Sequence, residues 1–99
     1  MESFTFTSVL WRWAAQEAWR FVTLPEDLSE TIRLTSGPPR GFGSVRVAVT
    51  VGATSWRTSL FPDSDSHCYV LPMKRAVRQA EDLQDGDLVT VTVKPLEGG

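Results

Sequence analysis

The chain has 99 residues, 41% of them hydrophobic and 22% charged, with a formal net charge of −2. This length suits one domain with a real core and excludes two, and the composition excludes a disordered chain. The acidic balance disfavours a general nucleic-acid binder, no apolar run approaches the roughly 18 residues of a membrane helix, and the single cysteine, Cys68, excludes an internal disulfide.

The first residues carry Glu2 and no basic run before an apolar stretch, so they do not read as a signal peptide. A cytoplasmic setting is the simplest expectation. Phe4 to Leu10 reads as a strand by its partial period-2 alternation, and Trp11 to Ala15 as its end or a turn. A second strand is expected from Ala18 to Leu24, with Trp19 and Phe21 on one side, and Pro25 ending it. Leu28 to Leu34 is ambiguous between a short helical turn and a strand. The Gly/Pro-rich stretch from Thr35 to Gly43 is a loop long enough to be functional.

Val45, Val47, Val49 and Val51 alternate with Arg46, Ala48 and Thr50, which predicts a strand with one buried face. Gly52 and Ala53 form a hairpin connection into a strand from Thr54 to Leu60, ended by Pro62. Asp63 to His67 is a polar loop, and Cys68 to Leu71 a short strand. Pro72 suits the first position of a helix, and Met73, Ala76, Val77 and Ala80 then form its apolar stripe. Leu83, Gly86 and Asp87 make a turn in which Asp87 is expected to accept backbone hydrogen bonds. Val89, Val91 and Val93 alternate with threonines in the last strand. Residues 1–96 form one domain, and 97–99 are a frayed tail. Short strands, Gly/Pro turns and one short helix point to a mainly β fold, a small closed β-barrel.

Four dense words carry a family resemblance: W-R-F-V-T-L-P from Trp19, G-F-G-S-V-R-V from Gly41, W-R-T-S-L-F-P from Trp56 and L-P-M-K-R-A-V-R from Leu71. On these the chain resembles a bacterial family of unknown function, number 1905 in its series. That resemblance covers nearly the whole chain and implies a compact closed barrel with a short helix. Larger members often add a helical domain, and no such domain is expected here after Val93. From Leu71 to Val93 the pattern also looks like the helix-and-strand element of cradle-loop barrels, which include double-psi barrels and AbrB-like regulators.

No catalytic motif is legible. His67 is the only histidine and stands beside Cys68 with no CxxC, whereas a metal site needs three or four ligands, so neither a metal nor a cofactor is expected. The G-F-G-S word is not a phosphate loop, although Arg40, its exposed amides and Ser44 can form an anion-binding nest. No carboxylate lies between Glu30 and Asp63, while Arg33, Arg40, Arg46 and Arg57 do, so a locally positive surface is expected on an acidic protein. The four tryptophans are too many to fit easily inside one small barrel, so exposure of one or two at a groove is as reasonable as burial.

The favoured site combines Arg40, Ser44, Arg46, Trp56, Arg57, Thr58 and Ser59 with Lys74 and Arg78. Lys74 and Arg78 are four apart, on one helical face, and near a helix start the dipole disfavours cations, which suggests that they face something negative. The bland reading pairs them with Glu81, Asp82 or Asp85. Convergence of the whole set requires a bulge, because Trp56 and Ser59 otherwise lie on opposite faces. Three function classes follow. The first is a non-catalytic module for an anionic or aromatic small ligand or an acidic peptide. The second is a small enzyme using Glu17 or Glu26. The third is an AbrB-like DNA-binding regulator, which the net charge and a chain able to close its barrel as a monomer oppose. The first is preferred, with no membrane partner, and any DNA binding is expected to be weak and steeply salt-dependent.

Overall fold

The computed structural model describes residues 2–35 and 43–96. Its elements are β1 (Phe4–Val9), β2 (Trp11–Arg12), β3 (Arg20–Thr23), α1 (Glu26–Thr35), β4 (Val45–Val51), β5 (Thr54–Asp63), β6 (Cys68–Pro72), α2 (Arg75–Ala80) and β7 (Leu88–Pro95). The strands pair antiparallel in the order β1-β7-β4-β5-β6-β3-β2. Two runs of chain turn the corners. β1 pairs with β7, and after Leu10 the chain pairs again, as β2, with β3. β5 pairs with β4 up to Leu60 and with β6 from Phe61 to Asp63. Ser8 Oγ donates to Thr23 O at 2.8 Å and Trp11 Nε1 donates to Thr23 Oγ1 at 2.9 Å, which draws β1 toward β3. The result is a nearly closed antiparallel barrel.

The core follows from alternation. Val45, Val47, Val49 and Val51 are all buried, as are Val89, Val91 and Val93, while Thr50, Thr90 and Lys94 stay on the outside. On that outer face hydroxyls meet across the strands, Thr5 with Thr92 and Thr50 with Ser55, each at 2.9 Å. Leu10, Leu60, Leu71 and Met73 fill the interior with the valines.

Three local expectations are corrected. The ambiguous segment is a ten-residue helix, α1, so the barrel carries two helices rather than one. Its apolar face is narrow: Ile32 is buried, Leu28 packs partly, and Leu34 is exposed. The buried hydroxyl of Ser29 accepts a hydrogen bond from Tyr69 N at 3.0 Å and so ties α1 to β6. Pro62 does not end β5. It pairs with Tyr69 in a stretch that has a partner on one side only, where a missing N–H is tolerated. Pro72 is not a helical residue but the end of β6, opposite Phe21, and α2 begins three residues later.

Asp87 takes the structural role expected of it. Its Oδ2 accepts from Gln84 N at 2.8 Å, and its carbonyl accepts from Leu10 N at 2.9 Å, so one residue shapes the turn before β7 and anchors the corner after β1. Asp87→Ala removes the carboxylate cap and is expected to cost about 1–2 kcal/mol. Urea denaturation checks this, with a lower midpoint at unchanged slope as the expected result.

Candidate functional site

The structure separates the described residues proposed from the sequence into four places. Arg46 pairs with Ser59, and Arg57 with Ala48, on the solvent face of β4 and β5. Arg46 Nη1 reaches Ser59 Oγ at 3.5 Å. Trp56 and Thr58 stand opposite Val49 and Val47 on the core side of the same strands, and Trp56 packs against the core. Pairing is continuous from Val45–Leu60 to Val51–Thr54, so no bulge brings Trp56 and Ser59 to one side. Ser44 is half-buried at the entrance to β4, and Arg40 lies outside the described residues. Lys74 and Arg78 are elsewhere, in a cleft of about 530 Å³ formed by residues 17–20, residues 72–75 and Arg78.

That cleft is built on an aromatic cluster outside the barrel core. Phe21 is buried yet does not belong to the core cluster. Instead three indoles cover it. Trp11 lies directly opposite on β2 with ring centroids 5.1 Å apart, Trp19 is at 5.8 Å, and Trp13 meets it edge-on at 6.5 Å. The loop between β2 and β3 makes this possible by folding back on itself: Trp13 N donates to Trp19 O at 3.2 Å, and Trp19 N donates to Gln16 O at 3.0 Å. Trp13 and Trp19 are left 44% and 51% exposed, and Trp19 forms one wall of the cleft. Indole exposure at a groove was therefore the correct alternative, but not for the tryptophan favoured from the sequence.

The opposite wall comes from the link between β6 and α2. Met73 N donates to Arg20 O at 2.8 Å, which pins this link against the start of β3. Lys74 is the N-cap of α2, in extended conformation, and Arg78 lies in its last turn. The helix-dipole reason for expecting an anion therefore does not apply to Arg78, since a cation is favoured at a helix C-terminus. A better reason is visible in the charge arrangement. Arg78 is half-buried, and its Nε donates to Met73 O at 2.9 Å. Burial pulls its guanidinium below the ordinary arginine value, and the nearby Arg20 and Arg75 act the same way, while Asp85 opposes them.

The neighbouring acids are committed elsewhere. Asp85 pairs with Arg20 Nε at 2.6 Å, and Arg20 Nη1 also donates to Glu17 O. Glu17 turns its carboxylate toward Arg12, at 3.6 Å. Glu81 accepts from Thr54 Oγ1 at 2.6 Å. Among the described residues Lys74, Arg75 and Arg78 form no ion pair. Arg20, Arg75 and the cleft wall at Trp19 were not singled out from the sequence as a site. Their signal lay in the two words W-R-F-V and L-P-M-K-R, which the pairing of Phe21 with Pro72 brings side by side.

Elsewhere, His67 is exposed in a turn with φ of 60°, and Cys68 is buried at the start of β6. Among the described residues no group of three or more His, Cys, Asp or Glu is placed to hold a metal ion. No helix of the described residues is long and apolar enough to cross a membrane.

Residues 6–93 match the family described as Domain of unknown function (DUF1905), and the chain belongs to that family. No curated protein matches it.

Proposed function

We propose that this barrel is a non-catalytic binding module that holds a small organic anion in the cleft between the start of β3 and α2. One observation carries the reading. Four cations, Arg20, Lys74, Arg75 and Arg78, line one cleft whose only acid is Glu17, and Glu17 pairs with Arg12 while Arg20 alone of the four has an ion-pair partner among the described residues, Asp85. Like charges gathered in a half-buried place raise one another's cost, and an incoming anion relieves it. Arginine forks suit carboxylate and phosphate groups, and the cleft has the size of a small-molecule site.

The test is a melting-temperature titration of the full chain with sodium benzoate, citrate and phosphate at constant ionic strength. A bound anion stabilises by mass action, about 2.7 kcal/mol at a hundredfold excess over Kd. At least one of these salts is expected to raise Tm saturably, and Lys74→Ala combined with Arg78→Met should abolish the rise while leaving the circular dichroism spectrum intact. A rise that survives in the double variant would place the anion elsewhere, and the outer-face cations Arg46 and Arg57 would be the next candidates.

A further inference from the structure

Resting on that anion-binding reading, we propose that the ligand class is an aromatic carboxylate, its ring on the exposed indole of Trp19 and its carboxylate on the fork of Arg78. The walls explain the ring. Apart from the cations and Glu17, the cleft is bounded by Ala18, Trp19, Pro72 and Met73, whose side chains are predominantly apolar. Trp19 is braced for stacking. Its ring lies against Phe21 at 5.8 Å and meets Trp13 at 6.2 Å, yet about half of it remains in solvent. A flat ring added to a fixed aromatic platform gains contact at little entropic cost.

Arg78 explains the carboxylate. Its Nε is held by Met73 O, which fixes the plane of the guanidinium. Its terminal nitrogens have no hydrogen-bond partner among the described residues, so two parallel N–H groups are offered end-on. Arg20 is already satisfied by Asp85 and the Glu17 carbonyl. The guanidinium of Arg78, fixed in plane beside an apolar wall, suits a planar carboxylate, and Lys74 and Arg75, which line the same cleft without an ion pair among the described residues, add to the positive field around it.

The full chain is titrated by calorimetry with 2-naphthoate, with 2-naphthol as the neutral ring, acetate as the ringless carboxylate and inorganic phosphate as the dianion. Naphthoate is expected to bind at least about tenfold more tightly than the other three. Arg78→Met and Trp19→Leu should each weaken naphthoate about tenfold, and Arg57→Ala, on the outer face of β5, should leave it unchanged. In the unsubstituted protein, naphthoate should move the Trp19 indole N–H resonance by ring current more than that of Trp56, which checks the stacking without any variant. Phosphate or acetate binding as tightly as naphthoate, with the Trp19 resonance unmoved, would overturn the aromatic class and leave the anion cleft standing. Failure of all four probes to bind would overturn both.

Discussion

Ile32→Ala is expected to lower the stability of this protein by about 2–5 kcal/mol, the range for truncating a fully buried aliphatic side chain. Ile32 is completely buried and is the only residue through which α1 reaches deep into the core cluster. The rest of the attachment is polar. Ser29 Oγ meets Tyr69 N, the Arg33 guanidinium lies 5.4 Å from the Tyr69 ring centroid, and Arg33 Nη2 donates to His67 O at 3.1 Å. Those contacts cannot refill the space that alanine would leave, because a hydrogen-bonded hydroxyl and an exposed guanidinium fix the helix at its present distance. Ile32→Val should cost only about 0.5–1.5 kcal/mol, since most of the volume remains. Urea unfolding of both variants is the measurement. Amide exchange adds a second readout, with α1 losing protection before the barrel strands. If Ile32→Ala costs no more than Ile32→Val, α1 is not seated as described.

The same helix shows where sequence reasoning stopped. Its apolar stripe is one isoleucine and half of Leu28, while Leu34 points into water and a serine is buried in place of an apolar residue. With so few marks, a period of 3.6 cannot be told from a period of 2. The valine strands posed no such difficulty. β4 and β7 each bury one full face, so every second residue marks the buried side, and the buried valines are those the alternation predicts. Pro62 misled because it was read as a strand stop, and Pro72 because it was read as the start of a helix. One lies on a one-sided stretch of strand and the other ends a strand, so neither obstructs a ladder.

The site was half legible for a related reason. Lys74 and Arg78 stand out as cations beside a short helix, but their partners in space, Trp19 and Arg20, are more than fifty positions away. Only the β3–β6 pairing makes them neighbours. Trp56, by contrast, is the more conspicuous tryptophan of a dense word, and alternation alone sends it toward the core.

Gly52→Ala is expected to cost roughly 2–4 kcal/mol, far more than an ordinary glycine substitution on a surface turn. Gly52 turns the β4–β5 hairpin with φ of 57°, a conformation that costs an L-residue about 1–2 kcal/mol. A Cβ there would also collide with the Glu81 carboxylate, which reaches over from the end of α2 to accept from Thr54 Oγ1 at 2.6 Å. The glutamate can swing away, but only by giving up that charge-assisted hydrogen bond, worth about 1.5–3 kcal/mol. The hairpin and the α2 terminus are thus held together through one bare backbone position. A double-mutant cycle separates the two costs. In a Glu81→Ala background the collision and the hydrogen bond are both gone, so Gly52→Ala should cost only the backbone share. Equal costs in the two backgrounds would show that Glu81 does not sit over the turn. A smaller cost in the variant would establish that the Glu81 carboxylate, at the end of α2, sits over the β4–β5 turn where it also accepts from Thr54 Oγ1.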